Sequence, residues 1–211
     1  VDRAFPEHSL FRDSMGTGQS ALFNCMRAYA VLDDECGYCQ GMSFIGGLLL
    51  MHLPEAEAFE VLKALMFTQN LRARYMPDMQ ALQLQLYQLS RLLHDHVPEV
   101  YGHFDQHDIE PFLYATPWFL TFFSTSFSVE FAKRVMDAVL VGGDSIIFAV
   151  SLSLIRMAAS EIAACDSFER TLNFLQVALP RLADEHMDKV MQDATDMRMD
   201  AAQLEMYSDE F

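Results

Sequence analysis

Cationic residues are scarce in this chain: 14 Lys and Arg stand against 30 Asp and Glu, a formal charge of −16 over 211 residues. A nucleic-acid surface needs clustered Lys and Arg, so nucleic acid is excluded as a partner and anionic lipid is a poor one. Gly and Pro number 9 and 7, and no Gly/Ser linker or low-complexity tract interrupts the chain. The expectation is one compact unit, with one core or two lobes. The apolar runs Met42–Met51 and Pro111–Phe123 fall short of the roughly 20 residues that span a bilayer, so no direct membrane insertion is expected and the protein reads as soluble. No basic segment leads into an apolar signal core. Four cysteines (Cys25, Cys36, Cys39 and Cys165) are too few for a disulfide scaffold and fit free thiols in a reducing, cytoplasmic compartment.

Strand patterns are nearly missing too, and the dominant period is helical. In "MQALQLQLYQLSRLLHDH", Met79, Leu82, Leu86, Leu89 and Leu93 form one stripe. Leu22, Met26 and Tyr29 share a face in "QSALFNCMRAYAVLD". Pro54 stands at a first helical position, with glutamates in the turn that follows. Ser128, Asp144 and Asp166 or Ser167 read as N-caps, Gly142–Gly143 as a helix stop, and Pro180 as lying beyond the end of a helix. These features predict an all-α fold of roughly nine to eleven helices. The segments "VDRAFPEHSLFRDSMGTGQ" and "ECGYCQ" read as irregular, and the acidic stretch Asp184–Glu210 as solvated helix faces.

Hydrolase and nucleotide-binding motifs are absent: there is no G-x-S-x-G, no H-E-x-x-H and no P-loop. "GTGQS" lacks the lysine and the preceding strand of a phosphate loop and reads as a loop into the next helix. The pair Cys36 and Cys39 makes one C-x-x-C. A structural zinc site wants four ligands, and a thioredoxin-like motif wants a βαβ setting that this chain lacks. His94, His96, His103 and His107 read as polar ends of amphipathic helices. Two polar residues remain conspicuous. Arg3 lies in the irregular "DRAFPEH", and Gln40 ends "GYCQ" just before a run apolar enough to be buried. Taken singly, a loop arginine makes a surface ion pair and a glutamine before a helix caps it or is solvated.

Together, "DRAFPEH", "GYCQGMSFIGGLLL", "YQLSRLLHDH", "EPFLYATPWFLTFFSTSF" and "RVMDAVLVGGDSIIFAVSLSLI" resemble, in order, the TBC-domain family of Rab GTPase-activating proteins over most of residues 1–180. The first looks like the tail of that family's I-x-x-D-x-x-R motif and the second like its Y-x-Q motif. The resemblance implies a compact multi-helix TBC domain over residues 1–211, truncated at its N-terminus, with acidic C-terminal helices in 181–211. It implies Arg3 as an arginine finger and Gln40 as a glutamine finger that positions the attacking water. Tyr38, Gly41, Phe5 and Pro6 would support the fingers or touch the partner, with Gly41 allowing that partner's close approach.

The implied partner is a Rab-family small GTPase, which would carry Mg-GTP itself, so the chain would need no cofactor or metal of its own. Its place would be cytoplasmic, with endomembrane association made through partners. An arginine supplied in trans raises a GTPase rate on the order of 10³- to 10⁵-fold. That is roughly 4–7 kcal/mol of barrier. Departures from the pattern are Ala4 for the usual threonine, Met136 where tryptophan often stands before Asp137, and a motif aspartate and isoleucine that would precede Val1. A non-catalytic helical adaptor and a metal or redox domain at Cys36/Cys39 are the competing expectations.

Overall fold

A computed structural model describes residues 4–13, 16–197 and 199–211. Of the described residues 73% are helical, and they contain no strand. Thirteen α-helical segments are present among them, where roughly nine to eleven helices were expected. The excess comes from long helices that are broken rather than from extra ones. At Ala158, α8 (Ile146–Met157) passes directly into α9 (Ala159–Ala163). A π-turn at Phe174–Ala178 joins α10 (Phe168–Asn173) to α11 (Leu179–Glu185).

That π-turn corrects the reading of Pro180, which sits in the first turn of α11 rather than beyond a helix end. Proline has no N–H to donate, and its ring collides with the carbonyl four residues back. Widening the preceding turn, so that Leu179 N–H reaches Phe174 O, accommodates it without ending the helix. A second correction concerns Asp144. Ser145 occupies the N-cap of α8, while the Asp144 carboxylate accepts from Gln85 Nε2 at 3.0 Å. Ser128 and Ser167 do cap α7 (Val129–Gly142) and α10, accepting from the N–H groups of Phe131 and Arg170. Gly143, with φ of 80°, ends α7 as expected.

The helices group into two compact units, residues 1–81 with 120–122 and residues 82–119 with 123–211. In the first, α1 (Thr17–Leu32), α2 (Gln40–Leu50) and α3 (Glu55–Phe67) pack against one another, and the 3₁₀ turn Leu71–Tyr75 packs on α3. Thr17 already begins α1, so "GTGQS" is a helix start, with Gly16 as N-cap. Every residue of α2 from Gly41 to Leu50 is buried except the half-buried Phe44. Gly46 lets α1 come this near, since a Cβ there would meet Met26 Cε at 2.8 Å.

In the second unit, α8 is buried all along Ile147–Ile155 and packs against α7 and α12 (Met187–Asp196). Trp118 stacks on Phe123 at 5.3 Å and meets Tyr114 and Phe127 edge-on. The C-terminal α13 (Ala201–Glu210) is tied to α4 (Gln80–His96). Gln88 Nε2 donates to Leu204 O and Ser208 Oγ, Arg91 pairs with Glu210, and Tyr207 donates to Asp95. Between Asp184 and Glu210 every acidic residue is exposed, which is the solvated-face arrangement expected. Among the described residues no helix is long and apolar enough to cross a membrane.

Glycine positions give a direct check on this packing. A Cβ at Gly18 would lie 2.1 Å from the carbonyl oxygen of Leu10, whereas one at Gly102, in α5 (Pro98–Gln106), meets nothing within 4 Å. Gly102→Ala is expected to raise stability by about 0.5–1 kcal/mol through helix propensity. Gly18→Ala is expected to lower it, because backbone must move. Thermal melts of the two variants measure the contrast, and equal effects would contradict the packing described.

Candidate functional site

The α1–α2 connection, residues 33–39, carries the residues singled out in "GYCQ". It is short and acidic, with Asp34, Glu35 and Tyr38 exposed and little apolar surface to bury, so hydrogen bonds hold it instead. Asp33, at the C-cap of α1, is 5% exposed and anchors the loop. Its Oδ2 accepts from Tyr29 Oη at 2.8 Å and Arg72 Nε at 2.6 Å, and its Oδ1 from Cys36 N at 3.2 Å and Arg72 Nη2 at 3.0 Å. The guanidinium thus grips the carboxylate with two parallel bonds, a planar match that lysine cannot make. Arg72 Nη2 also reaches Glu35 Oε2 at 2.5 Å.

These donors set the ionisation of the cluster. The Arg72 hydrogen bond is the largest cause holding the Asp33 carboxyl below the ordinary carboxylate range, against burial, which pushes the other way. Burial, and then the hydrogen bond to Asp33, push the Tyr29 hydroxyl well up. Burial likewise pushes up the Cys36 thiol, which donates to Tyr75 O at 3.7 Å. All four cysteines are free, and Cys36 and Cys39 have separate tasks: the first is buried, the second is the extended N-cap of α2. Among the described residues no group of three or more His, Cys, Asp and Glu could hold a metal ion.

Gln40 is the first residue of α2 and is exposed. Its backbone carbonyl accepts from Ser43 Oγ at 2.7 Å, while among the described residues no group hydrogen bonds its side-chain amide. Tyr38, 45% exposed, stands beside it in the loop. Gly41 is buried, and here the structure corrects the sequence reading. A Cβ at Gly41 would lie 2.9 Å from Leu120 O and 3.2 Å from Tyr75 Cε1, so the close approach it permits is to its own chain rather than to a partner. Tyr75 Oη in turn donates to Leu120 O at 2.7 Å.

Arg3 lies outside the described residues. The residues just after it are fixed: Ala4 is 2% and Phe5 6% exposed. Phe5 has φ of 52° and its ring covers Gly47, where a Cβ would lie 2.8 Å from the ring, and it meets Phe44 edge-on at 5.6 Å. Phe5 is therefore packed on the helix that Gln40 begins, about 10 Å further along its axis. Pro6 is exposed. Sequence reading missed Asp33, Arg72 and Tyr75. The "DDE" run and "LRARY" are 39 residues apart, and no spacing rule links them.

Because the folded value of Asp33 is lowered, its contribution to stability is complete above the unfolded value of about 3.9 and disappears as pH falls through the lowered one. Asp33→Asn is therefore expected to lower the melting temperature at pH 7, by an amount that shrinks as pH drops below about 4. Melts of both proteins across that range give the answer, and a gap that holds constant into acid would contradict the assignment.

Comparison with known proteins places this arrangement in a family. Residues 1–163 match RabGAP-TBC, the Rab-GTPase-TBC domain. TBC1 domain family member 4 of Mus musculus is 44% identical over 211 residues, all of this chain and 16% of that protein. Rab GTPase-activating protein tbc-11 of Caenorhabditis elegans is 35% identical over 213 aligned residues, again all of this chain and 23% of that protein. The chain thus spans less than a quarter of the length of either relative. Among solved structures, the Chlamydomonas flagellar RabGAP TBC domain superposes with a TM-score of 0.72 at 25% identity, covering 92% of this chain and 64% of that one. An all-α fold with the "GYCQGM" turn at the mouth of a buried helix, matched by family and by structure, makes this chain a member of the Rab-GTPase-TBC domain family.

Proposed function

We propose that this chain accelerates GTP hydrolysis by a Rab-type small GTPase, contributing residues in trans and binding no nucleotide of its own. The observation that carries the reading is Gln40: an exposed amide, uncommitted among the described residues, at the start of a buried helix in a member of the Rab-GTPase-TBC domain family. The partner would bring Mg-GTP, and the place of action would be cytoplasmic, at endomembranes reached through that partner.

The reaction needs a water held in line with the γ-phosphorus and donors for the charge that develops on the γ-oxygens. A glutamine amide suits the first task. Its oxygen accepts from the water, its NH₂ donates to a phosphate oxygen, and neither act requires charge. Attack by the water forms the new P–O bond while the bond to the β-phosphate oxygen breaks, yielding GDP and phosphate. Arg3 is assigned the second task, because a guanidinium donates to several oxygens at once. The burial of Ala4 and the anchoring of Phe5 on α2 support that assignment, since Phe5 ties the chain that follows Arg3 to the helix that Gln40 begins. Tyr38 and Pro6, both exposed, are assigned to the partner-facing surface.

Single-turnover GTP hydrolysis by a panel of purified Rab proteins tests the proposal. One Rab is expected to be accelerated, with Arg3→Ala costing on the order of 10³-fold or more and Gln40→Ala most of the remaining effect. Binding retained by both variants without any acceleration by the unmodified protein would instead make the chain a non-catalytic adaptor.

A further inference from the structure

We infer that the 3₁₀ turn Leu71–Tyr75 is the platform that positions Gln40, with Arg72 and Tyr75 as positioning residues for the water-orienting amide. The inference rests on the role proposed above for Gln40. It comes from what this five-residue turn touches. At the start of the loop, Arg72 grips Asp33 through two bonds and Glu35 through a third. In the middle, the Tyr75 carbonyl accepts the Cys36 thiol. At the far end, the Tyr75 ring abuts Gly41, the residue after Gln40, and its hydroxyl holds the Leu120 carbonyl that Gly41 packs on. The loop bearing Tyr38 and Gln40 is therefore pinned before, within and after its exposed stretch by one short element.

Each contact has a distinct mechanical effect. The bidentate Arg72–Asp33 pair fixes the orientation of a buried carboxylate that simultaneously holds the Cys36 N–H, so it sets where the loop leaves α1. Gly41 against Tyr75 and Leu120 fixes where the first turn of α2 begins. Gln40 lies between these two points, with its side chain free among the described residues and its backbone held. An amide that must place a water within hydrogen-bond distance loses rate steeply when its backbone drifts. A displacement of about 1 Å can cost on the order of 100-fold.

The test uses Arg72→Met, Arg72→Lys and Tyr75→Phe, read by single-turnover hydrolysis with a responsive Rab and by hydrogen exchange of the amides of residues 36–42. Arg72→Met is expected to slow the rate at saturating protein roughly 10- to 100-fold. The concentration giving half-saturation should change far less than the rate, because every proposed partner-facing side chain is still present and only Tyr38 lies on the loosened stretch. Combining Arg72→Met with Gln40→Ala should be no slower than Gln40→Ala alone, since both act through one amide. Exchange should rise at residues 36–42 and stay unchanged in α7, α8 and α12. Arg72→Lys should fall between, keeping charge while losing the planar fork. If Arg72→Met does not fold, Arg72→Lys and Tyr75→Phe carry the same comparisons.

A full loss of rate added on top of Gln40→Ala, a loss confined to half-saturation, or unchanged exchange at residues 36–42 would each overturn the inference. Normal acceleration by Gln40→Ala would sink the glutamine assignment itself and this inference with it. A defective Gln40→Ala beside a normal Arg72→Met would sink the platform alone. Should no Rab respond, unchanged exchange in Arg72→Met still overturns the platform, while raised exchange supports its structural half.

Discussion

Backbone-close packing around α2 is the constraint on which the first unit depends. Three faces of this helix are met at distances that leave no room for a Cβ: Leu120 at Gly41, Met26 and Leu22 at Gly46, and the Phe5 ring at Gly47. Each glycine costs about 0.5–1 kcal/mol of helix stability relative to alanine, so the helix would be poor in isolation. Tertiary burial offsets that cost, because Ile45, Leu48 and Leu49 are each 3% exposed or less. A buried aliphatic side chain contributes about 1.5–3 kcal/mol. The result is a helix that cannot rotate or slide without collision, and its one exposed residue is Gln40.

The N-terminal segment obeys the same constraint. Phe5 holds a left-handed backbone, φ 52°, which is unfavourable for a bulky side chain. It persists because its ring is caught among Gly47, Phe11 and Phe44. The second unit solves its own problem differently, with few glycines and many rings. Tyr114, Trp118, Phe123, Phe127 and Phe131 run edge-to-face and stacked through neighbouring turns. Positive φ at Phe122 and Phe123 ends α6 (Thr116–Thr121), and the separate 3₁₀ turn Pro111–Leu113 ahead of it leaves the apolar run Pro111–Phe123 as short pieces rather than one long helix.

The helical period and the caps at Ser128, Ser167 and Gly143 were readable because each is a local rule acting within a few residues. Asp144 and Pro180 were misread where a local preference met a tertiary demand: Gln85 claimed the carboxylate, and a π-turn absorbed the proline. The exposed "GYCQ" turn was legible as a motif. The reason for Gly41 was not, since the atom it makes room for belongs to Leu120. Asp33 and Arg72 were opaque for the same cause. An acidic residue in "DDE" reads as solvated until a partner far along the chain is known to cover it.

Why a loop should be held by an ion pair rather than by apolar contacts follows from its exposure. Asp34, Glu35, Tyr38 and Gln40 face solvent, so there is too little apolar surface to fix the loop by burial. An ion pair this sheltered contributes little net stability beyond a well-packed apolar substitute, because desolvating both charges offsets most of their attraction. It does confer direction. A carboxylate with both oxygens engaged by Tyr29, Cys36 and Arg72 admits one arrangement of its neighbours, whereas an apolar contact admits many. The connection between α1 and α2 therefore trades stability for a defined path. That is the property a side chain must have if it is to hold a water molecule to within a fraction of an ångström while remaining open to solvent.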